Sequence, residues 1–344
     1  MKLERFTNVL VGTALLAGLP VRANLTFNLI PEAGTPQFAI EGFNAAARLW
    51  SDVLADDITL NIQIGYRSLG PGVIGSTSSA FIERSYPELR LALDTHRTSL
   101  DDYASVASLQ AGDFYRRLIN HTSNNPNGPN SPTPYVDTMD RVGLTTANAK
   151  ALGLLAPGGD VDATIRFNSD LAFDFTHGGT IAAGKFDFVG AAAHEIGHAL
   201  GFYSGVDDID TLRGAYPGGD FSSNLIDLFR YSTLSLAEGR GVSDYTADAR
   251  DKYFSVDGGQ TALAWFATGV VYGDGRQASH WKDNSGIGLM DPTLTYGERV
   301  DISVMDLRLF DVLGYTIVPE PGLLALFAVS VFLLRLRKRE GRRS

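Results

Sequence analysis

The sequence predicts an α+β fold built on a twisted mixed sheet. Three observations point there. The chain opens with a strand, a helix and a second strand. A helix near its middle carries two histidines and a glutamate among alanines. The stretch behind that helix is rich in Gly and Asp, which reads as a mostly helical and loop C-terminal part. A length of 344 residues allows two domains or one large one.

Leu25 to Ile30 alternates apolar and polar residues with the period of a strand. Phe38 to Leu54 repeats at helical spacing, with Phe43, Ala47, Trp50 and Leu54 on one side. Ile58 to Tyr66 alternates again, placing Ile58, Leu60, Ile62 and Ile64 on one face. These stripes are core. Gly70 to Arg84 reads as a looser strand or hairpin, and Pro87–His96 and Ser99–Asn120 as helices. His121 to Pro134 is an exposed loop of Asn, Pro and Ser, and His96 and His121 read as surface histidines. Thr145–Leu152 is a short helix ended by Gly153, and Asp160–Ser169 is a strand leading into the central helix.

That central helix is the informative stretch. Asp187 caps it, alanines fill it and Gly201 ends it. His194 and His198 stand four residues apart, so both rings lie on one face and can share a metal ion. Glu195 is offset by one residue. It is no ligand from that face, but it reaches a water held beside the metal. This is the His-Glu-x-x-His zinc-hydrolase pattern.

A catalytic zinc takes three protein ligands and a water. In the compact form of the pattern the third ligand comes six residues after the second histidine, where this chain has Ser204. Asp207, Asp208 and Asp210 are nearby carboxylates that can substitute, and His177 is a further candidate. His280 lies downstream in Gln-Ala-Ser-His280-Trp281-Lys, followed by Ile-Gly-Leu-Met290-Asp291-Pro292.

With those segments in view, the chain resembles the metzincin-type zinc metallopeptidases of the leishmanolysin-like kind, which carry a long insertion before the third histidine. The resemblance covers roughly residues 160–315. It implies a zincin-like fold with an active-site helix, His280 as third ligand, Met290 as the turn methionine beneath the metal, and residues 202–279 as the insertion. It also implies that the strand before the active helix lines the cleft and offers an edge to an extended substrate. The expected activity is hydrolysis of peptide bonds in a protein or peptide substrate, with Glu195 as general base and one zinc ion. Tyr296 is a candidate donor to the oxyanion. A zinc-binding surface protein with a decayed site, and a zinc hydrolase acting on other bonds, are the competing readings.

Within the insertion, Leu225–Leu234 reads as helical, Tyr253–Phe266 as a hairpin and 273–275 as a turn. Its Asp and Gly clusters make calcium a second candidate ion, although no defined calcium loop is matched. Ile302–Gly314 reads as a closing helix packed beneath the active one.

The two ends differ from the body. A positive start, an apolar run from Val9 to Val21 and small residues near Ala23 describe a signal peptide over 1–23, hence export. The expected body then divides into 24–201 and 202–317. From 318 the chain reads Val318-Pro-Glu-Pro321, an apolar run from Gly322 to Leu334, and a basic cluster starting at Arg335. These three parts resemble the PEP-CTERM sorting signal of Gram-negative bacteria. That resemblance implies an exosortase-type partner, a transmembrane C-terminal segment that anchors the chain transiently, and delivery to the cell surface or extracellular matrix. The ends hold nine of the 29 basic residues and three of the 39 acidic ones, which leaves 20 against 36 and a net charge of −16 for 24–318. Such a body is no nucleic-acid binder. There is no cysteine, so neither disulfides nor a thiol latency switch operate.

Overall fold

The computed structural model describes residues 25–318; the expected signal peptide and the tail beyond Val318 lie outside the described residues. The opening elements form where periodicity places them: β1 (Thr26–Pro31), α1 (Gln37–Ser51) and β2 (Thr59–Arg67). Next come β3 (Gly75–Ser79) and β4 (Phe81–Ser85). Of the two readings of Gly70–Arg84, strand and hairpin, the strand holds and the hairpin does not, because only Ala80 separates β3 and β4 and a tight hairpin needs two loop residues. Instead β3 pairs with β8 (Ala163–Asn168) and β4 with β7 (Arg141–Thr145), so the chain changes sheets at Ala80.

The main sheet runs β1-β2-β8-β3, parallel except for β3. The strand before the active helix, β8, is therefore internal; the edge strands are β1 and β3, and β3 is the one beside α5. Leu60, Ile62, Ile64, Ile165 and Phe167 are fully buried. Against this sheet lie α1 and α5 (Phe188–Ala199). Phe43 of α1 meets Phe188 edge-on at 5.2 Å and Phe167 at 5.6 Å. Gly42 makes this approach possible, since a Cβ there would stand 2.5 Å from the Phe188 ring.

Two capped helices follow β4. In α2 (Tyr86–Thr95) Ser85 and Glu88 form a capping box, and in α3 (Leu100–Ser108) Ser99 and Asp102 do the same. The helix expected to reach Asn120 stops at Ser108. Leu109 is extended, Gly112 turns the chain at φ +95°, and Tyr115–Ile119 becomes β5, paired with β6 (Tyr135–Met139). His121 is buried rather than superficial, stacked on Tyr272 at 3.7 Å. A short α4 (Thr146–Ala151) precedes β8, and a two-strand pair, β9 (Phe173–Asp174) with β10 (Phe186–Asp187), leads into α5.

The C-terminal part is mostly loop. It holds α6 (Val206–Leu212), α7 (Thr233–Glu238) and α8 (Val304–Val312). It also forms a small antiparallel sheet from β11 (Arg230–Tyr231), β13 (Lys252–Phe254) and β14 (Ala264–Phe266), while β12 (Ser243–Asp244) joins β5. The hairpin expected over 253–266 is present; the helix expected over 225–234 is a 3-10 turn followed by β11. The principal core cluster takes residues from Leu25 to Tyr315, so both halves contribute to it. α8 closes it, with Phe310 against Trp50 at 4.7 Å and the Tyr315 hydroxyl donating to the Leu200 carbonyl.

The transmembrane expectation is corrected. No helix among the described residues is long and apolar enough to cross a membrane. The longest, α1, has 15 residues, and a span needs about 20 apolar ones. The run that prompted the expectation, 322–334, is also short and lies outside the described residues.

Candidate metal centre

The active helix forms as its sequence dictates. The Asp187 side chain accepts the Gly190 N–H at the N-terminus, and Gly201 turns the chain at φ +117° past the C-terminus. One helical turn separates His194 and His198. His280 arrives from 82 residues away, on a segment that continues the pairing of β14: the Ala267 N–H donates to the His280 carbonyl and the Lys282 N–H to the Trp265 carbonyl. Trp281 anchors that segment. It stacks on Phe266 at 4.9 Å and meets Phe202 edge-on at 5.0 Å.

The three imidazoles converge through Nε2. His194 Nε2 lies 3.2 Å from His280 Nε2 and 3.1 Å from His198 Nε2. The opposite nitrogens face backbone carbonyls: His194 Nδ1 at 2.7 Å from Leu289 O, His198 Nδ1 at 2.7 Å from Phe202 O, and His280 Nδ1 at 3.3 Å from Gln277 O. A carbonyl only accepts, so each Nδ1 carries the proton and each Nε2 presents a bare lone pair. Three lone pairs at this separation repel one another unless a cation sits among them. Zinc–nitrogen bonds of about 2.0–2.1 Å in tetrahedral array place the nitrogens about 3.3 Å apart, close to what is found. The residues fit a metal ion of that kind. Burial, then the neighbouring His194, holds His198 down to about 3, and burial with both neighbours holds His280 well below its ordinary value. Both are neutral at pH 7, the form that ligates.

Glu195 stands beside the trio. Thr77 of β3 donates to its Oε2 at 2.6 Å. Gly75 keeps that wall clear, because a Cβ there would come within 3.0 Å of Oε1. Burial pushes the Glu195 carboxyl above the usual range, against smaller downward pulls from His194 and Thr77. A bound cation adds to those pulls. The trio and Glu195 line a cleft of about 400 Å³, walled by 72–79 on one side and 289–294 on the other.

Met290 packs against the active helix at Gly197. A Cβ on Gly197 would stand 2.5 Å from the methionine sulfur, so the glycine inside the His-Glu-x-x-His stretch is there for close approach. Asp306, fully buried at the start of α8, ties the floor together. It accepts the Trp281 indole N–H at 2.8 Å, the Leu289 N–H at 2.9 Å, and the Ser303 N–H and hydroxyl at 2.8 Å each. Leu289 in turn holds His194, and Trp281 adjoins His280.

The other candidates fall elsewhere. Asp207 is no ligand: it accepts the Ala278 N–H, the Ser279 N–H and the Ser279 hydroxyl, and so braces the segment that delivers His280. Asp210 accepts the N–H groups of Val271 and Tyr272. Ser204 donates to Asp227. Asp208 lines a second cavity. His177 bonds Asp187 at the far end of the helix. Tyr296 is exposed and packs on Phe186 at 4.3 Å, outside the cleft. No carboxylate group joins the calcium expectation: among the described residues the group of three or more His, Asp or Glu able to share an ion is His194, His198 and His280. The insertion's aspartates serve its turns instead, as Asp257 and Asp274 also do. Thr77, Asp306 and the bracing role of Asp207 carry no sequence signal of their own; the mid-helix Gly197 does.

Comparison with protein-family models, with curated proteins and with solved structures returned no match to this chain.

Proposed function

We propose that this chain is an exported zinc-dependent endopeptidase. The observation that supports it most is the convergence of three bare imidazole nitrogens beside one carboxylate in an open cleft. Three protein ligands leave a fourth position, which suits a catalytic rather than a closed structural ion. His194, His198 and His280 would hold the metal, which when bound supplies Lewis-acid polarisation of a carbonyl and lowers the pKa of a water.

The remaining work falls to this chain's side chains. Glu195 takes the proton from the attacking water and later returns it to the leaving amine. Thr77 occupies Oε2, which leaves Oε1 for that traffic. The outer edge of β3 borders the cleft, so an extended peptide can add to the sheet there through backbone hydrogen bonds. The metzincin-type resemblance favours peptides over other substrates. Export and surface sorting rest on 1–23 and on the tail beyond 318.

The test is cleavage of an unfolded protein by the zinc-loaded protein, run beside Glu195→Gln. The variant is expected to keep one zinc per chain and to lose turnover by about 10²–10⁴-fold, the usual contribution of a general base. Retained turnover in Glu195→Gln, or no cleavage by the zinc-loaded wild type, would overturn the proposal.

A further inference from the structure

We infer that the cavity adjoining the metal cleft is a specificity pocket for a lysine or arginine side chain of the substrate, with Asp208 as the group that recognises its charge. This deepens the peptidase reading and rests on it.

The cavity has a volume of about 700 Å³. It shares Tyr203 as a wall with the metal cleft. Ser79 lines the cleft and Phe81, two residues on, lines the cavity, so a peptide lying along the β3 edge passes its mouth. The Tyr203 and Phe81 rings pack at 5.1 Å. Phe81, Leu212 and Tyr216 expose roughly two fifths or more of their surface here, giving an apolar and aromatic wall that no part of the described chain covers.

Into this space project carboxylates without a cation. Asp208 and Asp220 line the cavity, and no lysine, arginine or histidine does. A third carboxylate, Glu83, is already engaged by the Ser222 hydroxyl and by Arg141 at 3.5 Å. Asp208 and Asp220 are exposed to solvent at the cavity wall and neither carboxylate has a hydrogen bond or ion pair among the described residues; the surroundings of Asp208 push its carboxyl upward. An apolar occupant would strip water from both carboxylates and return nothing, and an anionic one would be repelled. A lysine or arginine meets each wall: its methylene stem lies along Leu212 and Phe81, and its head reaches Asp208 and Asp220 over the faces of Tyr203 and Tyr216. The net charge of −16 over 24–318 draws basic peptides in the same sense.

The test uses the zinc-loaded full-length protein. Proteome-derived peptides are digested and the cut sites mapped by mass spectrometry. One cleaved sequence is then remade with arginine, citrulline or glutamate at the preferred position; citrulline keeps arginine's shape without its charge. The expected result is lysine and arginine enriched at one position. kcat/KM should be about ten-fold or more higher for arginine than for citrulline, a ratio typical of a hydrogen bond to a charged group. That ratio collapses in Asp208→Asn, and Asp208→Lys turns the preference toward glutamate. Because a ratio is read, only folded, active molecules contribute. Cleavage without a basic preference, or a ratio unchanged in Asp208→Asn, overturns the pocket and leaves the peptidase. If the wild type cleaves nothing, the peptidase reading fails and binding decides the pocket. Calorimetric titration with N-acetylarginine amide and its citrulline analogue then either shows an Asp208-dependent preference for arginine, which supports it, or equal binding, which overturns it.

Discussion

Asp306→Asn tests whether the floor of the metal centre is held by one buried carboxylate. The substitution changes no volume but replaces two accepting oxygens by one oxygen and an NH2. In the wild type Oδ1 takes the Trp281 indole and Oδ2 takes Leu289 and both Ser303 donors. With the amide nitrogen at the Oδ1 position the indole N–H is left buried and unpaired; with it at Oδ2 the Leu289 and Ser303 N–H groups are, so either way at least one donor loses its acceptor, at about 1–3 kcal/mol, and the remaining bonds fall from charged to neutral strength. The total is about 3–5 kcal/mol, the range of a broken buried network. For a chain of this size that lowers Tm by roughly 5–10 °C. The change also reaches the metal, because Leu289 orients His194 and Trp281 precedes the Met290 turn; loss of such supporting contacts lowers metal affinity about 10–100-fold. Thermal unfolding of the zinc-free variant and competition with a zinc chelator read the two effects separately. A Tm within 1 °C of wild type together with zinc affinity within two-fold would refute the assignment.

Other consequences are as direct. His280→Ala should leave two histidines on one helical face and drop bound zinc from near one per chain to near none after dialysis; full retention by metal analysis would mean another residue is the third ligand. Gly197→Ala gains about 1 kcal/mol of helix propensity but drives a methyl into the buried Met290 sulfur, an overpacking cost of about 1–3 kcal/mol. Denaturant unfolding of Gly197→Ala, Met290→Ala and the double variant should show a coupling of about 1 kcal/mol or more; strict additivity would mean the two do not touch. His177 is raised above its ordinary pKa, chiefly by its hydrogen bond to Asp187 and against burial. A raised folded-state value stabilises below the unfolded pKa near 6.5 and loses that contribution as pH climbs through the folded value. The Tm deficit of His177→Ala should therefore be larger at pH 5.5 than at pH 8.5, and a deficit independent of pH would refute the pairing.

How much was legible in advance varies by element. Alternation located β1 and β2, helical spacing located α1, and the Asp187 cap, the alanines and Gly201 located α5, because those signals depend on residues close together in the chain. The same signals failed over 109–119. Apolar residues there fit a helix, but the Gly112 turn and the pairing with β6 make a strand. The resemblance, for its part, placed the substrate edge on Asp160–Ser169, whereas β3 forms it, since nothing within Gly75–Ser79 says which strand it will join.

The site divides along the same line. The sequence by itself determined that His194 and His198 share a face, that Asp187 and Gly201 bound their helix, and that Glu195 stands beside them, since one turn of backbone geometry sets all of this. Its account of the third ligand came from resemblance and left the aspartates open. Only the tertiary structure decided that His280 completes the trio while Asp207 braces it, and that Thr77 steadies Glu195 across 118 residues of chain. Whether a carboxylate meets a metal or a backbone N–H depends on how distant segments pair, and that choice is made by packing of the whole core rather than by local sequence.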